Sequence, residues 1–552
     1  MDQAVARARG ELASPRRGRA STAGGLALAV LPVGFLTLFF AWPVVAIIRL
    51  GFSEGGVDTA LFESQTWRLA AFTVAQAAAS TAVAVLAGLP VAYLLARVKL
   101  RGVGVVRTLV LVPFVLPTVV VGLAFKALWP GGGVFTIVLA NAFFNVAVVA
   151  RTVGGLWAHL DRRAEDAARA LGASRGRAFT SVTLPALLPA IASAAAVVFL
   201  FCATSFGVVL MLGGSRLRTL ETEIYLRTVN LLDLSGAAAL SLVQLAAVVA
   251  ALLVGAGARR RKETAARLRA RTETARRPEG GEWWVVAAAA GVLGLLLTPI
   301  VALLVRSVST REGWSLDGYR ALAGQGADGT LNVSGWDAAV NSLRTATDAT
   351  MLALIIGILA AVVLVSLRRS PQRGARVTGE VMDAAMMLPL GVSAVTIGFG
   401  YLVTLGQLPG DLRTSPLLVP FAQALVIVPL IIRMVLPVLR SIDERLRQAA
   451  ATLGASPARV WREVDLPLAA RSLAAAAAFG YVVALGEFGA TSFLARPDAP
   501  TLPVAIGSLV SRPGELNNQM AYAACALLML VTMLVAAVVD RLRAANAQVG
   551  EF

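Results

Sequence analysis

The sequence predicts an all-α, polytopic membrane protein with about twelve transmembrane helices, arranged as two parallel six-helix repeats. Three observations lead to this fold: the composition, the recurrence of long apolar runs, and a polar segment that occurs twice. Of the 552 residues, 57% are hydrophobic and 15% are charged, whereas a soluble globular chain is about 45–50% apolar and about 25% charged. Such a chain cannot cover its apolar surface in water, so we expect membrane lipid to surround it.

Apolar runs of about 20 residues or more recur along the chain, and each can cross a hydrocarbon core about 30 Å thick. The predicted helix cores are 26–50, 69–96, 105–129, 132–158, 186–213, 236–257, 283–306, 340–367, 381–406, 416–440, 468–495 and 520–538. Prolines at positions 113, 117, 389, 429 and 437 predict kinked or broken helices, which are tolerated where they line a cavity. A path through the third and fourth helices of each unit would fit this pattern.

The basic residues support the helix count, because they cluster between alternate apolar runs, as expected for cytoplasmic loops. The predicted organisation is a basic cytoplasmic tail (1–25), a first unit (26–257), a basic cytoplasmic linker (258–282), a second unit (283–540) and a cytoplasmic tail (541–552). Both termini are therefore expected in the cytoplasm.

The composition also excludes several classes of site. The net charge of +18 does not predict nucleic-acid binding, because no folded polar domain is left to present a basic stripe. Cys202 and Cys525 lie inside apolar runs, and His159 is the one histidine. We therefore expect neither a disulfide framework nor a metal or haem site, and no cofactor in this chain.

An internal repeat divides the chain into the two units. Gly172 pairs with Gly454 and Pro185 with Pro467, and each pair is separated by 282 residues. The same offset relates "SFG" (205–207) to "EFG" (487–489). Because six is an even number, both units enter the membrane in the same orientation. A pseudo-two-fold axis along the membrane normal therefore relates them.

The repeated polar segment lies between the fourth and fifth predicted helices of each unit. We call the two copies cassette 1 (166–185) and cassette 2 (448–467). Each is predicted to form a short helix, a glycine turn with positive φ, and a second short helix before the next membrane helix. An amphipathic loop lying on lipid is an alternative for one isolated copy. Two copies in register favour the docking of a two-fold symmetric cytoplasmic partner.

The cassettes resemble the "EAA" loop of ABC-importer permeases, which is Glu-Ala-Ala, three residues, Gly, nine residues, an aliphatic residue, one residue and Leu-Pro. The matching residues are Asp166, Ala167, Ala168, Gly172, Leu184 and Pro185 in cassette 1, and Gln448, Ala449, Ala450, Gly454, Leu466 and Pro467 in cassette 2. Asp166 and Gln448 stand where the family has glutamate. The resemblance implies that each cassette couples to one of two cytoplasmic ATP-binding cassette subunits.

The fusion of both units in one chain is similar to the ferric-iron and thiamine importer permeases. "FFNVAVVART" (143–152), "SFGVVLMLGG" (205–214) and "TLETEIY" (219–225) resemble the thiamine type most. The resemblance implies a prokaryotic inner-membrane component that receives a small solute, such as thiamine or its phosphates or ferric iron. An extracytoplasmic solute-binding protein would deliver this solute.

The chain carries no ATP-hydrolysing motif of its own. Its three lysines are Lys99, Lys126 and Lys262, and none follows a glycine, so a P-loop is absent. We expect no enzyme activity and ATP hydrolysis by partner subunits. The alternative is a secondary transporter with parallel halves driven by an ion gradient. Such transporters usually need ionisable relays within the membrane.

A few polar residues in the apolar runs are candidates for the path and for docking. Ser205, Glu487 and Phe488 are candidates for the translocation path. Glu487 lies about 30 Å along its helix from Pro467, where it is expected either to meet a cationic solute or to cap a helix or pair with Arg496. Glu221 and Glu223 are predicted to dock the extracytoplasmic partner.

Overall fold

The computed structural model describes residues 28–53, 56–99, 102–214, 216–260, 276–310, 313–324, 332–370, 372–404 and 415–547. Within these ranges the chain is helical, and its β-type contacts are the single-residue bridges Val98↔Arg276 and Ser309↔Trp314. The predicted N-terminal tail (1–25), residues 261–275 of the linker, residues 405–406 of the ninth core and residues 548–552 lie outside the described residues.

The helices are numbered so that each helix of the first half corresponds to the one twelve numbers later in the second half. The first half contains α1 (Leu28–Phe52), α2 (Gly56–Phe62), α3 (Ser64–Arg97), α4 (Val103–Val115), α5 (Thr118–Leu128), α6 (Val134–His159), α7 (Arg163–Ala170), α8 (Arg175–Ala178), α9 (Leu184–Ala203), α10 (Gly207–Leu212), α11 (Leu220–Val229) and α12 (Leu234–Arg260).

The second half repeats this order element by element. It contains α13 (Glu282–Val308), α14 (Asp317–Ala323), α15 (Gly335–Arg369), α16 (Arg373–Met387), α17 (Ala394–Thr404), α18 (Leu418–Ser441), α19 (Glu444–Thr452), α20 (Pro457–Val460), α21 (Leu466–Gly486), α22 (Thr491–Leu494), α23 (Leu502–Ser511) and α24 (Glu515–Ala547). The last helix thus continues through most of the predicted C-terminal tail.

Ten continuous helical stretches of the described chain are long and apolar enough to cross a membrane. Each half adds one bent pair, α4–α5 with a bend of 99° and α16–α17 with a bend of 98°. With each pair counted as one span, the described part of the chain has twelve candidate spans. The predicted membrane fold is therefore confirmed.

The third span of each half is broken, as the prolines at 113, 117 and 389 predicted, so each of the predicted cores 105–129 and 381–406 contains two helices. In the first half, Leu116 is extended, with φ −68° and ψ 134°, because the following Pro117 disfavours the helical conformation before it. In the second half, Val392 is extended. The Ser393 hydroxyl then accepts a hydrogen bond from the Thr396 N–H at 3.0 Å and starts α17.

The fifth span is also broken in each half, which corrects the predicted cores 186–213 and 468–495. The helix stops at Ala203 and restarts at Gly207 in the first half. In the second half it stops at Gly486 and restarts at Thr491. A five-residue π-helical segment precedes each fifth span, Phe179–Thr183 and Trp461–Asp465. The breaks contain Ser205, whose hydroxyl donates to Asn141 Oδ1, and Glu487, whose carboxylate accepts from the Ala490 and Thr491 N–H groups.

The two halves use the same internal packing and exchange their first helices. In each half the second and fourth spans, α3 with α6 and α15 with α18, pack along each other, and the fifth span lies against both. The first helix packs on the other half, α1 against α17 and α13 against α5. Gly400 on α17 permits this approach, since a Cβ there would lie 2.9 Å from the Pro43 Cβ. Phe39 of α1 also stacks on Phe421 of α18 with ring centroids 4.5 Å apart.

Candidate functional site: paired cassettes and helix breaks

Each cassette folds as two short helices around a glycine. Gly172 lies two residues after the end of α7 with φ +90°, and Gly454 lies two residues after the end of α19 with φ +84°. The N–H of the following residue reaches back five residues in both copies, from Ala173 to the Ala168 carbonyl and from Ala455 to the Ala450 carbonyl, at 3.0 Å each. This is the Schellman arrangement that favours glycine, and it confirms the predicted positive φ.

The second short helix begins with a serine cap in both copies. The Ser174 hydroxyl accepts from the Arg177 N–H, and the Ser456 hydroxyl accepts from the Arg459 N–H, each at 3.3 Å. The π-helical segment then leads into Leu184–Pro185 or Leu466–Pro467, the first residues of the fifth span. In both copies the proline stands in the first turn of the α-helical part of the span, directly after the π-helical segment.

The cassettes present small and apolar side chains to the outside. The exposed motif residues are Asp166, Ala167, Gly172 and Pro185 in cassette 1, and Gln448, Ala449, Gly454, Leu466 and Pro467 in cassette 2. Ala168, Leu184 and Ala450 are partly covered. Leu171 and Leu453, which precede the two glycines, are 90% and 89% exposed. The two leucines are equivalent under the 282-residue offset, so both halves expose the same side chain at the same place.

A side-chain pair, here called a latch, ties the first short helix (α7 or α19) to the π-helical segment that precedes the fifth span. In the first half, the Thr183 hydroxyl donates to Glu165 Oε2 at 3.2 Å. In the second half, the Arg447 guanidinium donates to Asp465 Oδ1 at 2.6 Å. Arg447 follows Glu165, and Asp465 follows Thr183, by the same 282-residue offset. Sequence reasoning missed both latches. A signal was available, because the two positions of the latch differ together between the halves: Glu165 becomes Arg447 and Thr183 becomes Asp465.

The surroundings of the two cassettes differ. Arg175 Nη1 in cassette 1 donates to the Glu279 carbonyl at 2.5 Å, at the end of the linker. The hydrogen bond and charge of Arg276 hold the pKa of Glu279 below its usual value. Beside cassette 2, Arg369 at the end of α15 pairs with Glu444 at 2.8 Å. The linker therefore contacts cassette 1, whereas α15 contacts the first turn of α19.

Ser205 is buried in a polar network at the first break. Its hydroxyl donates to Asn141 Oδ1 at 2.7 Å, and Asn141 Nδ2 donates to Gln76 Oε1 at 3.0 Å. Gln76 Nε2 then donates to the Cys202 carbonyl at 2.7 Å, near the end of α9. Sequence reasoning missed Gln76 and Asn141. The network stabilises the non-helical backbone between α9 and α10.

Glu487 caps the short helix after the second break. Its carboxylate accepts from the N–H groups of Ala490 at 2.7 Å and Thr491 at 3.0 Å, and also from the Thr491 hydroxyl. Gln423, which is equivalent to Asn141, donates to the Thr491 hydroxyl at 3.3 Å. The capping interpretation of Glu487 is confirmed, and Arg496 forms an ion pair with Asp498.

Phe206 and Phe488 meet each other at the level of the two breaks. Their rings stack with centroids 5.3 Å apart and an interplanar angle of 20°, and each residue is 5% exposed. The two residues are equivalent under the 282-residue offset. Equivalent residues of two parallel repeats can touch only where the pseudo-two-fold axis passes between them. The fifth spans thus meet on the axis at their ends remote from the cassettes.

The two glutamates predicted to dock an extracytoplasmic partner are buried. Glu221 is fully buried and accepts from Gln244 Nε2 at 3.0 Å. Glu223 is 2% exposed and pairs with Arg218 at 3.1 Å and Arg227 at 3.3 Å. Neither carboxylate presents a surface in this conformation, so the docking role stays a prediction.

The fold defines a class of protein, a multi-span membrane permease built from two fused units with one cassette each. A comparison with protein families bears this out. Residues 84–263 and 353–547 match the model of the "binding-protein-dependent transport system inner membrane component". The chain belongs to this family and contains its domain twice.

Relatives of similar length have the same two-unit extent. The thiamine transport system permease protein ThiP of Brucella abortus is 26% identical over 517 residues, which cover 90% of each chain. The protein of the same name from Escherichia coli is 25% identical over 417 residues, covering 75% of this chain and 74% of the relative. The molybdenum transport system permease protein ModB of Mycobacterium bovis is 37% identical over 232 residues. These cover 38% of this chain and 87% of the relative.

Proposed function

We propose that the two cassettes dock two cytoplasmic ATP-binding subunits, and that the chain couples their ATP hydrolysis to solute import. The observation that carries this proposal is the equivalent pair of exposed leucines, Leu171 and Leu453, each beside a positive-φ glycine. Burying one leucine side chain in a partner is worth about 1.5–3 kcal/mol. Two such anchors related by a pseudo-two-fold axis suit a two-fold symmetric ATPase dimer.

The latches supply a route from these docking sites into the membrane. Each latch holds α7 or α19 to the residue directly before the fifth span, which then runs 20 residues in α9 and 21 residues in α21. That length corresponds to about 30 Å at 1.5 Å per residue. Closing of the ATPase dimer would draw the cassettes together and rock the two halves, giving alternating access about the axis.

The orientation follows from charge. The cassettes, the linker and both termini belong on the cytoplasmic side because the basic residues concentrate there. A solute-binding protein would then dock on the opposite face. Glu221 and Glu223 could take part only in a conformation that exposes them.

For the substrate we propose a small solute of the thiamine type. The support is the extent of the match, since relatives named for thiamine transport align over both units. The molybdenum-transport relative spans one unit of this chain. Ferric iron is the other substrate of fused permeases considered from the sequence, and uptake competition distinguishes it from thiamine. Glu487 is engaged as a cap here, so it would meet a cationic solute only after the break rearranges.

Co-purification tests the docking proposal. The tagged chain is solubilised gently from its native membrane, and co-purifying ATPase is quantified per permease. We expect two copies for the unmodified chain, one each for Leu171→Asp and Leu453→Asp, and none for the double variant. Leu231→Asp is the control, because Leu231 is 65% exposed after α11, away from both cassettes. Equal ATPase recovery from the double variant and the control would overturn the proposal.

Uptake measurements test the substrate and the alternative class. Cells expressing the full system should accumulate labelled thiamine, with competition by unlabelled thiamine but not by molybdate or ferric iron. The secondary-transporter alternative predicts instead that the purified chain alone moves solute along an ion gradient. Such a transporter would need an ionisable relay in a span, and Asp383, an ionisable residue of α16, instead pairs with Arg440 at 3.4 Å, which favours a structural role.

A further inference from the structure

The Phe206–Phe488 pair lies where the transport path has to run. The path of a transporter with two parallel repeats follows the axis between them. The stacked rings lie on this axis, with centroids 5.3 Å apart. Both residues are 5% exposed, so neighbouring groups close around the rings. Solute moving along the axis would meet these two side chains directly.

Further aromatic rings complete this closure from both halves. Tyr225 of α11 packs on Phe206 with centroids 5.2 Å apart, and Phe493 of α22 packs on Tyr225 at 5.3 Å. The position equivalent to Tyr225 is Gly507, and a Cβ there would lie 3.4 Å from the Phe488 ring. The four rings thus form one cluster that joins the halves.

The breaks of the third and fifth spans meet beside the stacked rings. Gly207 directly follows Phe206, and a Cβ there would lie 2.5 Å from Thr118 Oγ1, at the start of α5. Gly489 directly follows Phe488, and a Cβ there would lie 2.9 Å from the Ala394 Cβ, at the start of α17. Each ring is therefore carried on non-helical backbone held between two broken spans. Such backbone absorbs changes in φ and ψ more readily than a continuous helix.

We propose that Phe206 and Phe488 are the two leaves of a single gate, which closes the path on the side remote from the cassettes. This inference rests on the proposed function in requiring that the chain forms a transport path. The rings separate when the fifth spans move apart, and solute passes between them. Phe206 and Phe488 are thus positioned to control passage, in addition to holding the halves together.

A leak assay on the complete chain tests the gate without any ATPase. The purified chain is reconstituted into liposomes loaded with radiolabelled thiamine, and efflux is followed without ATP. We expect Phe206→Ala/Phe488→Ala to raise efflux by about tenfold or more over the unmodified chain, because it removes the steric barrier on the axis. The same vesicles loaded with labelled sucrose show whether the opening is selective for thiamine.

A second aromatic pair provides the matched control. Phe114 of α4 and Phe479 of α21 also stack between the halves, with centroids 6.4 Å apart. They are not equivalent under the repeat, so nothing requires them to lie on the axis. Phe114→Ala/Phe479→Ala removes the same side-chain area and should leave efflux unchanged. Equal leakage from both double variants, or a tight and folded Phe206→Ala/Phe488→Ala chain, would overturn the gate.

Cross-linking tests the same proposal in the complete importer. Phe206→Cys/Phe488→Cys is bridged with a flexible bis-maleimide, while the native Cys202 and Cys525 are buried and protected. We expect transport to fall to background while ATPase subunits still co-purify. Transport at the unmodified rate through a fully bridged pair would contradict the gate. Loss of ATPase binding in the unmodified chain would instead contradict the docking proposal, so the two failures are distinguishable.

Discussion

The fifth spans of the two halves break at equivalent positions, but different side chains secure the breaks. In the first half, the Ser205 hydroxyl joins a neutral network through Asn141 and Gln76. In the second half, the Glu487 carboxylate caps α22 and Gln423 supports it through Thr491. The latches differ in the same way, a hydroxyl–carboxylate pair in cassette 1 and an ion pair in cassette 2.

This comparison indicates that backbone geometry is repeated while side-chain chemistry varies. Every break leaves N–H and carbonyl groups that must find partners. A neutral amide network and a capping carboxylate both satisfy that requirement. The consequence is that equivalent positions should differ in how strongly the fold depends on them.

The largest difference in stability loss between equivalent positions is expected for the two latches. Arg447→Ala should destabilise the chain by about 3 kcal/mol, because it leaves the buried Asp465 carboxylate without its cation. Glu165→Ala should cost about 1 kcal/mol, since it removes one hydrogen bond from Thr183. Thermal unfolding in one detergent, followed by intrinsic fluorescence, measures both.

Exchange of the latch chemistry provides the control. Arg447→Glu combined with Asp465→Thr installs the first-half latch in the second half, and it should restore most of the stability lost in Arg447→Ala. A midpoint as low as that of Arg447→Ala would show that the two latches are not interchangeable.

The next largest difference in stability loss is expected between the breaks of the two fifth spans. Glu487→Ala removes the acceptor for two backbone N–H groups and a hydroxyl, and should cost about 2 kcal/mol. Ser205→Ala leaves Asn141 Oδ1 without this donor and should cost about 1 kcal/mol. Unfolding midpoints of the purified chains decide the order, and a greater loss in Ser205→Ala would reverse the comparison.

The two cassette glycines should behave alike, in contrast to the latches and the breaks, because both glycines have the same positive-φ conformation. Gly172→Val and Gly454→Val should each cost about 1–2 kcal/mol, since a β-branched residue is strained at positive φ. No atom lies within 4 Å of a Cβ built at either position, so the cost is conformational rather than steric. ATPase stimulation by substrate should fall in both variants while membrane insertion persists.

Asparagine is the matched substitution at these two positions, because it tolerates the left-handed conformation better than valine does. Gly172→Asn and Gly454→Asn should retain most of the coupling. If asparagine and valine had the same effect, the loss would come from the added side chain and not from the backbone.

The smallest effect is expected for the exposed pair after α22. The hydrogen bond from Arg496 lowers the pKa of Asp498, so the pair stabilises the chain above the unfolded pKa, and this contribution is lost as the pH falls through the lowered folded pKa. Solvent screens such a pair. Asp498→Asn should therefore leave the unfolding midpoint unchanged within error at neutral pH. A clear drop at neutral pH that disappears below about pH 4 would contradict this.

The membrane fold, the two-unit organisation and the cassette geometry could be predicted from local sequence. The length of an apolar run indicates whether it can cross the hydrocarbon core. A glycine between two short predicted helices indicates a residue with positive φ. The prolines predicted a kink or break in the third spans, whereas the breaks in the fifth spans were not predicted. Pro429 and Pro437 lie inside the continuous helix α18, whereas Pro117 lies at a break, so proline alone does not locate one.

The sequence by itself therefore determined features that follow from the order of residues along the chain: the spans, their repeat, and the cassettes with Gly172 and Gly454. The tertiary structure alone decided which distant groups meet. It joins Ser205 to Asn141, it buries Glu221, and it stacks Phe206 on Phe488. The physical reason is that periodicity and capping act over a few neighbouring residues. Burial and polar satisfaction instead depend on partners far away in the chain.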